Sequence, residues 1–231
     1  SGVKHWPAPD EKLTVSKRSS RRAQSLILNA VTRHGLAVVI GLNDGSIVKS
    51  LLMESSYHVV AIDSDPHRVE RLRDELVRAG VYGTRAAVIQ SDFKDLRIPP
   101  YIATVLTTEL DEIWVEAWKP LLQSLRPFGG IAAVGFTQDA IDAADLQDLS
   151  PGTFVLEAMG DEVIVRRSGP LPGATDYAGD WVASTDHLVR FLLGVLWFDQ
   201  TLSHFKRSPQ PRFVNGVMVM GIESPEQFAA L

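Results

Sequence analysis

The sequence of 231 residues contains no cysteine, which excludes disulfide frameworks, thiolate metal sites and cysteine nucleophiles. No apolar run approaches the ~20 residues that a membrane-spanning helix needs. The six histidines show no metal-ligand spacing, and neither a Gly-x-Ser-x-Gly motif nor a phosphate loop with its lysine is present. We therefore expect no metal and no membrane partner, and by default a cytoplasmic protein.

Charge is unevenly distributed along the chain. The net charge is −5, yet residues 1–36 hold seven Lys and Arg against two Asp and Glu, which leaves −10 for the rest. Most of the local excess is the segment "SKRSSRR" at 16–22, which is typical of a solvated helix start or arm, or else of a patch for an anionic partner. The acidic remainder argues against a nucleic-acid partner, although the basic segment leaves one open.

The remaining sequence alternates between short apolar runs and segments with helical spacing. Residues 1–19 are expected to be an irregular basic lead-in, followed by a helix from about 20 to 34. Strands are predicted at 36–41, 57–63, 84–92, 103–109 and 131–136, and helices after Gly45, after Asp65 and over 112–125 and 139–149. Residues 153–168 predict two strands with a Gly-Asp turn. This order predicts an α/β domain over 20–169, with a doubly wound, mostly parallel sheet closed by an antiparallel hairpin.

Three chemical signals fall at successive strand ends. Gly41 and Gly45 bracket the first turn, where a backbone without Cβ can approach a ligand closely and amides at a helix start favour electron-rich groups. Asp63 closes the second strand, where an acid can accept hydrogen bonds from both hydroxyls of a ribose. Asp92 closes the third strand on the same edge. Together they indicate a site for a nucleoside-bearing cofactor, against the alternative of plain strand-to-helix connections.

The segments "VVIGLNDGS", "VVAIDSDP", "AAVIQSDF" and "LLQSLRPFGGIAAV" occur in an order and spacing that resembles class I S-adenosylmethionine-dependent methyltransferases, over roughly residues 20–167. The "L-R-P-x-G-G" turn is the most discriminating of these, because plain dinucleotide-binding dehydrogenases lack it. The resemblance implies a Rossmann-like domain, S-adenosyl-L-methionine as cofactor and transfer of its methyl group to an acceptor that the sequence does not identify.

The resemblance also implies roles for individual residues. Residues 41–45, including Leu42 and Asn43, would lie beside the methionine portion, and Asp63 would bind the ribose. Asp92 would approach the adenine amino group. Two residues that follow the acids, Ser64 and Phe93, would flank the adenine.

The end of the fourth strand would face the transferred methyl group. It comprises residues 107–109, with Thr107 in the cofactor site and Glu109 as the candidate base. Glu112 is a second candidate base by position, and a surface role for both carboxylates is the alternative.

Two residues depart from the family pattern. Val39 stands where many members carry an acid, and Asn43 replaces the middle glycine of the turn. These departures favour an alternative hypothesis, in which the domain is a catalytically inactive scaffold or sensor. A third option is that the same turn binds NAD.

Residues 170–231 lie outside the predicted core. They contain an amphipathic stretch after Ser184 and the segment "RFVNGVMVMG", which predicts a hairpin about Asn-Gly. The segment resembles the start of a pyrroloquinoline-quinone-type β-propeller, which would make the chain a fragment of a longer protein. A simple C-terminal extension is the alternative. Because apolar residues of the tail need cover, a homodimer through it is a further expectation.

Overall fold

The computed structural model describes residues 12–110, 120–136, 153–159, 162–171, 174, 212–214 and 217–219. The predicted helix 139–149, most of the predicted helix 112–125 and the helix expected after Ser184 lie outside the described residues. The chain divides into two compact units, Ser1–Gly169 and Pro170–Leu231, which are described separately.

The first unit is built on a seven-stranded sheet. Its strands are β1 His34–Ile40, β2 Ser56–Asp63, β3 Ala86–Gln90, β4 Ala103–Thr107, β5 Ile131–Phe136, β6 Phe154–Met159 and β7 Glu162–Arg167. Their order across the sheet is β3-β2-β1-β4-β5-β7-β6. Strands β1 to β5 pair in parallel, whereas β7 is antiparallel to both β5 and β6. The predicted fold class, a doubly wound sheet closed by an antiparallel hairpin, is confirmed.

Three helices are fully described: α1 Lys17–Asn29, α2 Ser46–Glu54 and α3 Pro66–Arg78. Helix α3 begins as its sequence predicts, because the Asp65 carboxylate accepts a hydrogen bond from the His67 amide at 2.8 Å and Pro66 occupies the first turn. None of the helices in the described ranges has both the length and the apolar composition required to cross a bilayer.

Helix α1 differs from its prediction at both ends. The Ser16 side chain accepts from the Ser19 amide and caps the helix, so the helix begins at Lys17 and ends at Asn29. The expectation that residues 1–19 form an irregular lead-in is therefore wrong for residues 17–19, while residues 1–11 lie outside the described residues. The physical reason is the serine cap, which satisfies an end amide of the basic segment.

Alternating side chains of the central strands enter two cores. On one face Val39 and Ala61 pack with the apolar stripes of α1, α2 and α3. On the other face Val38 and Ile62 pack with Leu106 and with residues 121–125. Burial on both faces explains why these strands read as continuous apolar runs.

The second unit contains one described pair of strands. These are β8 Arg212–Val214 and β9 Val217–Val219, which pair antiparallel as the hairpin prediction requires. The rest of the predicted propeller start lies outside the described residues.

Candidate functional site

The parallel strand order reverses between β1 and β4, and ligands of such sheets bind beyond the carboxyl ends of the strands at that point. Residues 41–45, here called the glycine loop, follow β1 there, and residues 108–110, here called the strap, follow β4. The amide of Glu109 donates to the carbonyl of Gly41 at 3.1 Å. The candidate site is thus the place where the glycine loop and the strap meet.

The glycine loop has a conformation that two of its residues require. Gly41 and Gly45 have φ of 80° and 74°, in the region that favours glycine. Among the described residues, only Tyr101 and Phe128 are non-glycine residues with positive φ, so Asn43 is not among them. The replacement of a middle glycine by Asn43 therefore imposes no backbone strain on this turn.

The strap closely covers Gly41. A Cβ built on Gly41 would lie 2.5 Å from Cδ1 of Leu110, and the hydroxyl oxygen of Thr108 lies 3.4 Å from the same point. The close backbone approach that the sequence predicts at this glycine is present, but the neighbour is the chain's own Leu110.

Asp63 is fully buried and both of its carboxylate oxygens are engaged. Oδ2 accepts from the Leu42 amide at 2.6 Å, which ties the end of β2 to the glycine loop. Oδ1 accepts from the Asp65 amide at 2.7 Å and from Nη2 and Nε of Arg68 at 3.0 and 3.2 Å. The structure thus brings Asp63 and Leu42 together, with Oδ2 as the less crowded oxygen.

Glu109 also faces the glycine loop. Its Oε2 accepts from the amides of Asn43 and Gly45, each at 2.8 Å, and its Oε1 accepts from the amide of Ile47 at 2.6 Å. Gly45 is the N-cap of α2 and offers no side chain for capping, so the Glu109 carboxylate satisfies end amides of this helix. The candidate base is consequently bound to main-chain amides of the loop.

Other predicted site residues lie elsewhere on the sheet edge. The exposed Asp92 carboxylate pairs with Lys94 at 3.2 Å, and the Lys94 backbone amide is the leading cause that holds the pKa of Asp92 below its ordinary value. Phe93 is partly buried against the second core, and Ser64 is exposed. No hydrogen bond or ion pair of the described residues joins these side chains to the glycine loop.

Thr107 is buried rather than turned towards the edge. Its hydroxyl donates to the carbonyl of Ala133 at 2.7 Å, which links β4 to β5. Val39 is also fully buried, in the first core, where a carboxylate without a partner would be costly. The side chain at position 39 therefore packs between sheet and helices instead of facing the site.

Three residues of the site were missed by the sequence reasoning: Arg68, Leu110 and Arg22. Arg68 lies in the first turn of α3, five residues after Asp63, and this short spacing could have indicated the ion pair. Arg22 donates to the Thr108 carbonyl through Nη1 and forms a 2.8 Å ion pair with Glu162. Only the excess of arginine in 16–22 hinted at it, because these contacts span 86 and 140 residues of sequence.

Asp44 lies inside the glycine loop and bonds locally. Burial acts to raise its pKa, but hydrogen bonds from the Ser46 hydroxyl and amide and the charge of Lys49 hold the pKa below its ordinary value. Asp44 thus remains a carboxylate that fixes the first turn of α2. The described residues contain no group of three or more His, Asp or Glu that could hold a metal ion.

No family model and no curated protein matches the sequence. The fold is nevertheless similar to solved structures. A protein of Methanococcus maripaludis, proposed to be an S-adenosyl-L-methionine-dependent methyltransferase, is 14% identical with a TM-score of 0.51, covering 65% of this chain and 84% of that one.

Two further structures are similar to a comparable degree. The [4+2]-cyclase SpnF is 14% identical with a TM-score of 0.51, over 64% of this chain and 63% of its own. A protein of Corynebacterium glutamicum is 13% identical with a TM-score of 0.52, over 70% of this chain and 83% of its own. At these identities the similarity establishes the fold, which agrees with the Rossmann-like prediction.

Proposed function

We propose that this chain is an S-adenosyl-L-methionine-dependent methyltransferase that acts on an unidentified acceptor. The observation that supports this most strongly is the sheet itself: the order β3-β2-β1-β4-β5-β7-β6 with an antiparallel β7, in a fold similar to a protein proposed to have this activity. The glycine loop and Asp63 lie at the reversal of strand order, where such folds bind ligands.

The chemistry of the donors fits the cofactor in part. The amides of Asn43, Gly45 and Ile47 are suited to the carboxylate of its methionine portion, and Glu109 shows that a carboxylate binds them. Oδ2 of Asp63 accepts one hydrogen bond and retains capacity for a ribose hydroxyl. Because Glu109 engages the three amides, the strap has to move before a ligand carboxylate can bind them. Among the described residues, the Asp63 carboxylate bonds to Leu42, Asp65 and Arg68 and to no residue of the strap, so a ribose contact at Asp63 does not depend on that movement.

When bound, S-adenosyl-L-methionine supplies an activated methyl group on a positively charged sulfur. The residues of the chain then have to orient the ligand and exclude water, because alignment supplies most of the rate in such a transfer. We propose that residues 41–45 and Asp63 orient it, with Ser64, Asp92 and Phe93 beside the adenine. A base role for Glu109 stays a prediction.

Calorimetric titration with S-adenosylhomocysteine tests this proposal. We expect micromolar binding, lost in Asp63→Asn and retained in Asp74→Asn, a matched change at an exposed position of α3. Binding without methyl transfer to any acceptor would favour the inactive scaffold. Absence of heat at millimolar ligand contradicts the proposal.

The propeller start in residues 170–231 and a homodimer through them also stay predictions. The β8–β9 pair agrees with the predicted hairpin alone, and the dimer is proposed because the apolar segment "LGVLWF" needs cover. Light scattering of the full chain over a range of concentrations checks the dimer, which predicts twice the mass of 25.4 kDa.

A further inference from the structure

The Glu109 carboxylate occupies the donors that an anionic ligand of this loop would need. The first amides of a helix have no partner within the helix, and its macrodipole favours negative charge there. Gly45 cannot cap α2 with a side chain, and Glu109 accepts from three amides instead, at 2.6 to 2.8 Å. The loop is therefore closed around an anion that belongs to the chain.

The strap is held over the glycine loop by contacts on both sides of Glu109. Leu110 packs on Gly41, and its amide donates to the Thr108 hydroxyl at 3.0 Å. The Thr108 carbonyl accepts from Arg22 of α1, which is itself paired with Glu162 of β7. These contacts fix the strap between the first helix and the hairpin, so that its removal from the loop breaks several bonds together.

We propose that the Glu109 carboxylate competes with the carboxylate of an adenosyl amino-acid ligand for the amides of the loop. The amino-acid end of the ligand then binds only when the strap withdraws from the loop. The inference rests on the proposed function and adds regulation of the same site. The apparent affinity of a ligand equals its affinity for the open site multiplied by the fraction of molecules whose site is open. Because Glu109 covers only the amides, this competition lowers the affinity for the amino-acid end alone.

A pair of ligands separates the two ends of the site. S-adenosylhomocysteine carries the amino-acid carboxylate, whereas 5′-methylthioadenosine carries the same nucleoside without it. We expect Glu109→Ala to bind S-adenosylhomocysteine about tenfold more tightly than the wild type, the equivalent of one charge-assisted hydrogen bond gained by the ligand. Affinity for 5′-methylthioadenosine should stay unchanged.

Two further variants complete the titrations. Glu109→Gln keeps the size of the side chain but loses its charge and one acceptor. Its affinity for S-adenosylhomocysteine should therefore lie between that of the wild type and that of Glu109→Ala. Glu70→Gln makes the same change at an exposed position of α3 and should match the wild type.

Hydrogen exchange in the ligand-free proteins tests the contact without any cofactor. The amides of Asn43, Gly45 and Ile47 should be protected in the wild type and exchange faster in Glu109→Ala, while those of β1 keep their protection. Unchanged exchange at the three amides would overturn the inference even if S-adenosylhomocysteine binds.

The titrations have equally definite outcomes. Equal or weaker binding of S-adenosylhomocysteine in Glu109→Ala overturns the competition and leaves the proposed function standing, because Glu109 would then only support the loop. A parallel gain for 5′-methylthioadenosine also overturns it. If neither ligand binds any variant, the proposed function fails and the competition fails with it, even where exchange shows that Glu109 holds the loop.

Discussion

Replacing Asp63 by alanine should destabilise the whole domain, because the carboxylate joins β2 to the glycine loop and to α3. The change removes the acceptor of the buried Leu42 amide and of the Asp65 amide, and it leaves Arg68 without its carboxylate at position 63. A donor left unsatisfied costs about 1–3 kcal/mol, and breaking a buried ion pair from one side costs about 3–5 kcal/mol.

Solvent reduces part of this loss. Arg68 is 34% exposed, so water can solvate its guanidinium, whereas Leu42 is only 1% exposed and its amide stays dry. We therefore expect the free energy of unfolding to fall by about 3–5 kcal/mol in Asp63→Ala, near the cost of a broken buried pair. For a domain of this size that is a decrease in Tm of about 6 to 20 °C.

Urea unfolding followed by circular dichroism measures the effect. Asp74→Ala serves as the control, because its carboxylate is exposed on α3 and its loss should change stability by about 0.5 kcal/mol or less. A loss below about 1 kcal/mol in Asp63→Ala would refute the reasoning that this network holds the loop. Asparagine at position 63 keeps only one acceptor oxygen and loses the charge that pairs with Arg68, so it also weakens this network. Loss of cofactor binding in a variant at Asp63 therefore supports a ribose contact only where circular dichroism shows that the variant is folded under the conditions of the titration.

Three further predictions concern stability and titration. Gly130→Ala should lower the free energy of unfolding by about 1–3 kcal/mol in urea unfolding, since its Cβ would lie 2.7 to 2.9 Å from backbone atoms of Arg126 and Ala103; an unchanged midpoint contradicts this. Burial raises the pKa of Tyr57 to about 12, although the charges of Arg126 and Arg33 act to lower it. The contribution of Tyr57 to the free energy of unfolding is therefore complete below pH ~10 and should fall as pH rises towards 12. Urea midpoints of Tyr57→Phe should not show this fall. The hydrogen bond from Arg166 lowers the pKa of Glu157. The contribution of this pair to stability is therefore present above pH ~4.5 and is lost as pH falls through the lowered pKa. Urea midpoints of Glu157→Gln should fall less between pH 7 and pH 3 than those of the wild type.

Local features of the fold were predictable from the sequence. The Asp65 cap, Pro66 and Gly80 mark both ends of α3, and the apolar runs mark the strands, because each signal acts within a few residues. The start of α1 differs from its prediction because Ser16 and Ser19 form a cap inside a segment whose dominant feature in the sequence is its charge.

The candidate site was less predictable. The sequence places Gly41, Asp63 and Glu109 on one edge of the sheet, and the structure brings all three to the glycine loop. What the sequence does not show is how they are engaged. The hydrogen bonds of Glu109 to main-chain amides span 62 to 66 residues of sequence, and the bond from the Leu42 amide to Asp63 spans 21. Such long-range contacts have no local signature.

We expect an adenosyl ligand to bind where the glycine loop meets the strap. The most direct measurement is the change in amide chemical shifts when S-adenosylhomocysteine is added to the full chain. We expect changes at residues 41–47, 63–65, 91–94 and 107–110, with residues 126–130 at the opposite edge unaffected. No change at the glycine loop, or changes confined to residues 126–130, would mean that the ligand does not bind at this site.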